Sequence, residues 1–292
     1  MTKAFKQVDV FTSTKYKGNP VAVFFDADDL TPDEMQQIAN WTNLSETTFV
    51  CKPTIEGADY QVKIYTTTSQ LPFAGHPTIG TCYSLLELGL ITPNSEGKVY
   101  QECEAGLVEL TVENYTPGDL SNTFITFQLP YYRFTPITVP NSQVETLLGV
   151  PQGSIVSTPV LIDDGPRWAT FELASGEIVK NANPDFAGLD QLCIKNNWQG
   201  VGIFGNYENS NQYELRNFFE MFEDPACGSG SGAVGAFLTA HAKRDDINII
   251  SISQGCRLKR DAKINVLIKR TTDASPTIFV GGNAITCING TY

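Results

Sequence analysis

Histidine is nearly missing from this chain: its 292 residues contain two, His76 and His241. That scarcity excludes a histidine-rich metal site, so no metal is expected. Positive charge is also in short supply, with 20 Lys and Arg against 32 Asp and Glu and a formal net charge of −12. No basic run of the kind that tracks phosphates occurs, and nucleic acid is not an expected partner. Apolar runs long enough to span a bilayer are absent, and the first residues, Met1-Thr2-Lys3-Ala4-Phe5-Lys6-Gln7, hold no apolar signal core. A soluble, cytoplasmic protein without membrane contact is the expectation. The seven cysteines include no Cys-x-x-Cys pair, which predicts free thiols in a reducing compartment rather than a disulfide frame.

What is present is organised around one stretch, Glu223-Asp224-Pro225-Ala226-Cys227-Gly228-Ser229-Gly230-Ser231-Gly232, which leads into the apolar run Ala233-Val234-Gly235-Ala236-Phe237-Leu238. The glycines permit a tight turn, and the helix after them is apolar on nearly every face, so it is expected to be buried. Its unpaired N–H groups and positive dipole end form a candidate site for a carboxylate or phosphate, with Ser229 or Ser231 as cap or extra donor. A glycine-rich turn that merely starts a helix would look the same. No lysine follows the glycines, which excludes a P-loop.

A second copy changes the weighting. Leu71-Pro72-Phe73-Ala74-Gly75-His76-Pro77-Thr78 has the same design, with Pro72 matching Pro225, Ala74 matching Cys227 and Gly75 matching Gly228. Upstream, Thr31-Pro32-Asp33-Glu34 opens an amphipathic helix with a capping box, and Asn183-Pro184-Asp185 opens its counterpart. Strand-like runs follow each, Thr47–Val50 and Val201–Phe204. The chain thus reads as two related halves, each mostly sheet around one buried helix. The polar, turn-rich residues 114–122 mark the expected boundary. The halves are 1–117, with a central helix over about 77–88, and 118–282, with one over about 230–241; the last strand, 283–292, is a candidate to complete the first.

Smaller expectations follow from local signals. Alternation predicts a hairpin-like start from Phe5–Phe11 and Val21–Phe25, and strands within 57–67, 99–112, 154–162 and 167–173. Ser142 is expected to cap a short helix ending at Gly149. Glu46 lies between Leu44 and the strand that begins at Thr47. It is either a solvated edge residue or a buried acid with a raised pKa suited to proton transfer near neutral pH. Its counterpart in the second half is Trp198 or Gln199, so the halves are not chemically equivalent.

Taken together, Gln7-Val8-Asp9-Val10-Phe11-Thr12, Gly18-Asn19-Pro20-Val21-Ala22-Val23, Asn43-Leu44-Ser45-Glu46-Thr47-Thr48-Phe49-Val50, Ala74-Gly75-His76-Pro77-Thr78, Glu223-Asp224-Pro225 with Gly228-Ser229, Gln254-Gly255 and Gly281-Gly282-Asn283-Ala284 resemble the phenazine-biosynthesis PhzF-like family. The resemblance spans essentially the whole chain. It implies an α+β fold like that of diaminopimelate epimerase: two pseudo-symmetric domains, each a mostly antiparallel sheet or barrel around a buried central helix, with the active site in the cleft between them. It further implies that Glu46 is the catalytic glutamate that moves a proton, that His76 and Asp224 hold and polarise substrate groups, and that Gly75, Gly228 and Ser229 belong to anion-binding turns. Cys227 stands in the same turn and is counted with the substrate-binding residues. A homodimer acting on a small anionic metabolite, without cofactor, is the implied state.

One departure bears on chemistry. Relatives of diaminopimelate epimerase use one cysteine per half as opposed acid and base, whereas here Cys227 occupies the second position and Ala74 the first. Cys227 is either a thiol with a lowered pKa at a helix N-terminus or a small residue packed in a tight turn. The leading expectation is a cofactor-independent isomerase that shifts a proton on a small carboxylate, with Glu46 as general acid and base. The alternatives are an amino-acid or imino-acid epimerase using Glu46 and Cys227, and a small-acid-binding protein without turnover.

Overall fold

The computed structural model describes residues 2–208, 210–271 and 274–292. It divides into two compact units, Met1–Gln128 with Gly281–Tyr292, and Leu129–Val280. The first unit contains β1 (Ala4–Val10), β2 (Asn19–Phe24), α1 (Pro32–Thr42), β3 (Thr47–Cys51), β4 (Tyr60–Tyr65), β5 (Gln70–Leu71), α2 (Gly75–Glu87), β6 (Lys98–Cys103), β7 (Gly106–Glu113) and β8 (Phe124–Gln128). Along β1-β2-β3-β4-β6-β7 the pairings run antiparallel, parallel, antiparallel, parallel, antiparallel. The two parallel pairs are the ones bridged by α1 and α2, because parallel neighbours need a long crossover.

The second unit contains β9 (Arg133–Pro136), α3 (Asn141–Leu148), β10 (Val160–Asp163), β11 (Arg167–Glu172), α4 (Gly176–Asn181), α5 (Phe186–Asn196), β12 (Gly200–Asn206), β13 (Gln212–Phe219), β14 (Phe222–Asp224), α6 (Gly228–Ala236), β15 (Ile249–Gln254) and β16 (Ala262–Thr271). After β17 (Ala274–Gly282), the final strand β18 (Ala284–Thr291) pairs antiparallel with β1 of the first unit. Along β10-β11-β12-β13-β15-β16 the same alternation of antiparallel and parallel pairs returns. The fold is α+β and pseudo-symmetric, with α5 standing where α1 stands and α6 where α2 stands.

The helices form where local chemistry asks for them. Thr31 caps α1: its hydroxyl accepts from the Glu34 N–H and its own N–H donates to the Glu34 carboxylate at 2.8 Å. Met35 and Ala39 are fully buried on the inner face and Ile38 partly so. Asp185 caps α5 through Gly188 N–H at 3.1 Å. The expected cap at Ser142 is corrected: α3 starts two residues earlier than that cap implies, at Asn141 after Pro140, and the Ser142 carbonyl instead accepts from Thr146 Oγ1 at 2.8 Å. The strand expected over 154–162 begins only at Val160, with Ile155 in an isolated bridge to Leu173, since Pro159 has no N–H to give a ladder.

Each central helix is buried. Every residue of α2 from His76 to Leu86 is buried, and α6 is buried except at half-buried Ser229 before continuing into a π-helical turn, Phe237–His241. Small residues allow this closeness: a Cβ on Gly80 would meet Val21 Cγ1 at 2.4 Å, and one on Gly235 would meet Val266 Cγ1 at 2.7 Å. Residues 114–122 form turns, and β8 after them is hydrogen-bonded to β7. Residues 118–128 therefore lie with the first unit. No helix among the described residues is long and apolar enough to cross a membrane.

Candidate active site

In the first unit the sheet carries Glu46 to the start of the buried helix. Glu46 immediately precedes β3, whose residues are all buried, and Thr81 Oγ1 of α2 donates to Thr48 Oγ1 of β3 at 2.9 Å. That tie brings Glu46 Oε2 within 3.5 Å of His76 Nε2, the second residue of α2. The Glu46 side chain is 17 % exposed and that of His76 8 %. Burial pushes the Glu46 carboxyl up to about 7, outweighing a hydrogen bond with Ser45 that pulls the other way. Of the two readings of Glu46, the buried acid is the one its surroundings produce.

The α2 N-terminus has no side-chain cap, because Ala74 at the cap position offers none. Gly75, next in line, is pressed against an aromatic ring: a Cβ there would fall 2.5 Å from Phe127 Cζ. Only glycine fits, and the first-turn N–H groups keep their capacity to bind an anion.

The second unit gathers Asp224, Cys227, Gly228 and Ser229 at the start of α6. Asp224 Oδ1 accepts from Ala226 N–H at 2.9 Å, the contact that makes an Asp-Pro turn. Cys227 is the helix cap, its Sγ accepting from Gly230 N–H at 3.2 Å and lying 3.4 Å from Ser229 Oγ. Trp168 Nε1 donates to that Ser229 hydroxyl at 3.0 Å. Gln254 holds the turn together, accepting from Cys227 N–H at 3.0 Å and donating to the Asp224 carbonyl at 3.0 Å. Gly255 follows with φ +90, and a Cβ there would strike the Pro225 carbonyl oxygen at 2.6 Å.

Of the two readings of Cys227, its surroundings produce the small residue packed in a tight turn, not the thiol with a lowered pKa. Burial, and next the negative charge of Asp224, push this thiol well above its ordinary value. The helix dipole is too weak to offset complete loss of solvent, so Cys227 stays a neutral thiol packed in the turn. Ser231, the other candidate cap, is buried inside α6 and caps nothing. Among the described residues no cluster of three or more His, Cys, Asp or Glu side chains is placed to hold a metal ion. Trp168 and Asn217, whose Oδ1 accepts from Gln254 Nε2 at 3.4 Å, carried no functional signal in the sequence, and Gln254 was visible only as part of a short motif. Their roles come from sheet pairings that set β11, β13 and β15 around α6.

The sequence pattern of the family described as phenazine biosynthesis-like protein (PhzC-PhzF) matches residues 8–290. The chain belongs to this family. The PhzF-family chain is 48 % identical to antisense-enhancing sequence 1 of Schizosaccharomyces pombe, over 98 % of its own length and 97 % of that protein. It is 30 % identical to trans-2,3-dihydro-3-hydroxyanthranilate isomerase of Pseudomonas fluorescens, over 97 % of each. Among solved structures it resembles a Bacillus anthracis phenazine biosynthesis protein of the PhzF family, with a TM-score of 0.86, 22 % identity, and 100 % and 99 % of the two chains covered. The protein is a PhzF-family isomerase with an epimerase-like fold.

Proposed function

We propose that this isomerase shifts a proton on a small carboxylate-bearing metabolite without a cofactor, with Glu46 as both base and acid. The observation that carries the reading is the Glu46 carboxyl itself: sheltered, beside His76 and an uncapped helix N-terminus, and ionising at about 7. A carboxylate would take a proton from one carbon of the ligand while the C–H electron pair moves into an adjacent unsaturated system. The same carboxyl would return the proton to another carbon, so nothing is gained or lost overall. His76 and Asp224 hold and polarise polar ligand groups, and the turns at Gly75 and at Cys227-Gly228-Ser229 receive the carboxylate. Each hydrogen bond to a charged ligand group contributes about 1.5–3 kcal/mol.

In this proposal both sets of groups serve one ligand in a cleft, and closure over it would exclude water. We further propose a cytoplasmic homodimer, supported by the family resemblance and by seven cysteines that are all free. An unsaturated, hydroxylated amino acid of the anthranilate type, as in the name of the Pseudomonas relative, is the substrate class to try first.

The test is proton exchange in deuterated water, followed by NMR on a panel of unsaturated and α-amino carboxylates. Exchange with the parent protein and none with Glu46→Gln supports the proposal. Equal binding to both proteins, with exchange in neither, would replace it with a binder lacking turnover.

A further inference from the structure

The hairpin between β10 and β11 turns through Asp163-Asp164-Gly165-Pro166, a sequence that normally faces water. Asp164 does the opposite. It is 5 % exposed, and neither carboxyl oxygen has a hydrogen-bond partner among the described residues. The carboxyl lies alongside the first turns of α6, where a Cβ on Gly232 would sit 3.3 Å from Asp164 Oδ2. It is also near the cap residue Cys227. Burial, and then the neighbouring Asp163, push the acid well above its ordinary value, which favours its protonated form.

A buried polar group without a partner is a standing cost to the fold, and such costs are retained where a ligand relieves them. The α6 N-terminus is positive, and a carboxylate bound there presents two oxygens. N–H groups of the glycine turn can reach one oxygen, and a neutral carboxylic acid beside the helix can donate its O–H to the other. An ionised aspartate in the same place would repel the ligand, so an environment that favours the protonated form of Asp164 is the one an anion site requires.

We propose that Asp164 is a ligand-binding residue that donates a hydrogen bond to a carboxylate held at the start of α6, and so selects carboxylates over uncharged analogues. This rests on the proposed function and names the group that recognises the ligand's acid.

The experiment compares the parent protein with Asp164→Asn and Asp164→Leu, measuring affinity for benzoate, anthranilate and benzamide by ligand-observed NMR and thermal stability by calorimetry. Asp164→Asn keeps an N–H donor and is expected to bind both carboxylates within about threefold of the parent. Asp164→Leu removes the donor and is expected to bind them at least about tenfold more weakly, with a melting temperature equal to or above the parent's. A purely structural aspartate would give the reverse: unchanged affinity and lower stability in Asp164→Leu. Parent-like affinity in Asp164→Leu therefore overturns the inference and leaves the proposed function standing. A parent protein that binds neither carboxylate, or binds benzamide equally well, overturns both.

Discussion

His76 Nε2 lies 3.5 Å from Glu46 Oε2, joining the residue that enters β3 to the second residue of α2. The pair is made by packing, because Thr48 and Thr81 clamp the strand to the helix just behind it. The outcome is a carboxyl poised to exist in both protonation states near neutral pH.

Glu46→Gln keeps the shape and removes the titratable proton. Turnover or solvent exchange is expected to fall by about 10²–10⁴, while ligand affinity changes little. In the parent protein, kcat/KM for the abstraction step is expected to decline as pH drops below about 7, where the carboxyl ceases to be a base. A rate independent of pH between 5 and 8, as covered by a profile at about half-unit steps, would remove Glu46 from the role.

The same carboxyl couples stability to pH. Its ordinary value is 4.5, and in the folded protein it rises to about 7. Between those values the folded state binds more protons than the unfolded one, so stability is lost as pH rises through this window and is not regained above it. The shift corresponds to at most about 3 kcal/mol. Urea unfolding of parent and Glu46→Gln across the window is expected to show a flatter dependence in the variant.

Cys227 contributes a cap rather than a thiolate. Cys227→Ser retains an acceptor for Gly230 N–H and is expected to keep activity within a few-fold of the parent. Cys227→Ala loses the cap and is expected to cost about 0.5–2 kcal/mol in denaturant unfolding. Near-complete loss of exchange in a stably folded Cys227→Ser would instead point to the two-residue epimerase.

Behind the Asp224 turn, Arg216 and Glu223 form a buried bidentate ion pair at 2.9 and 2.7 Å, and Arg216 also donates to the Ala182 carbonyl at 2.7 Å. Removing one partner strands a buried charge, so Arg216→Met is expected to cost about 3–5 kcal/mol. Adding Glu223→Leu to it should recover part of that loss, which a double-mutant cycle by chemical denaturation measures.

The repeat, the capping box at Thr31 and the two enclosed helices were legible because their signals are local: a cap three residues from its partner, or small and apolar residues in one run. Sheet membership was less so. Residues 118–128 follow a turn that looks like a boundary, yet they stay with the first unit because β8 finds β7, a pairing that no local spacing announces. Glu46 was singled out by its position before a strand, but its two readings could be separated only by burial. Asp164 was invisible, since nothing in Asp-Asp-Gly-Pro distinguishes a wet hairpin tip from one folded inward against a helix. The two readings of Cys227 stayed open in the sequence for a related reason: helix polarity can be read there, but desolvation cannot.

The pairing of β18 with β1 has a consequence for synthesis. The chain's last strand flanks its first, with Ala4 opposite Thr291 and Val10 opposite Ala284. Until that strand leaves the ribosome, β1 presents a bare edge, and the N-terminal sheet waits unfinished while everything in the later unit has already been translated. The half made first is thus the half completed last, and a nascent chain arrested before residue 284 would expose a strand edge open to pairing with a neighbour.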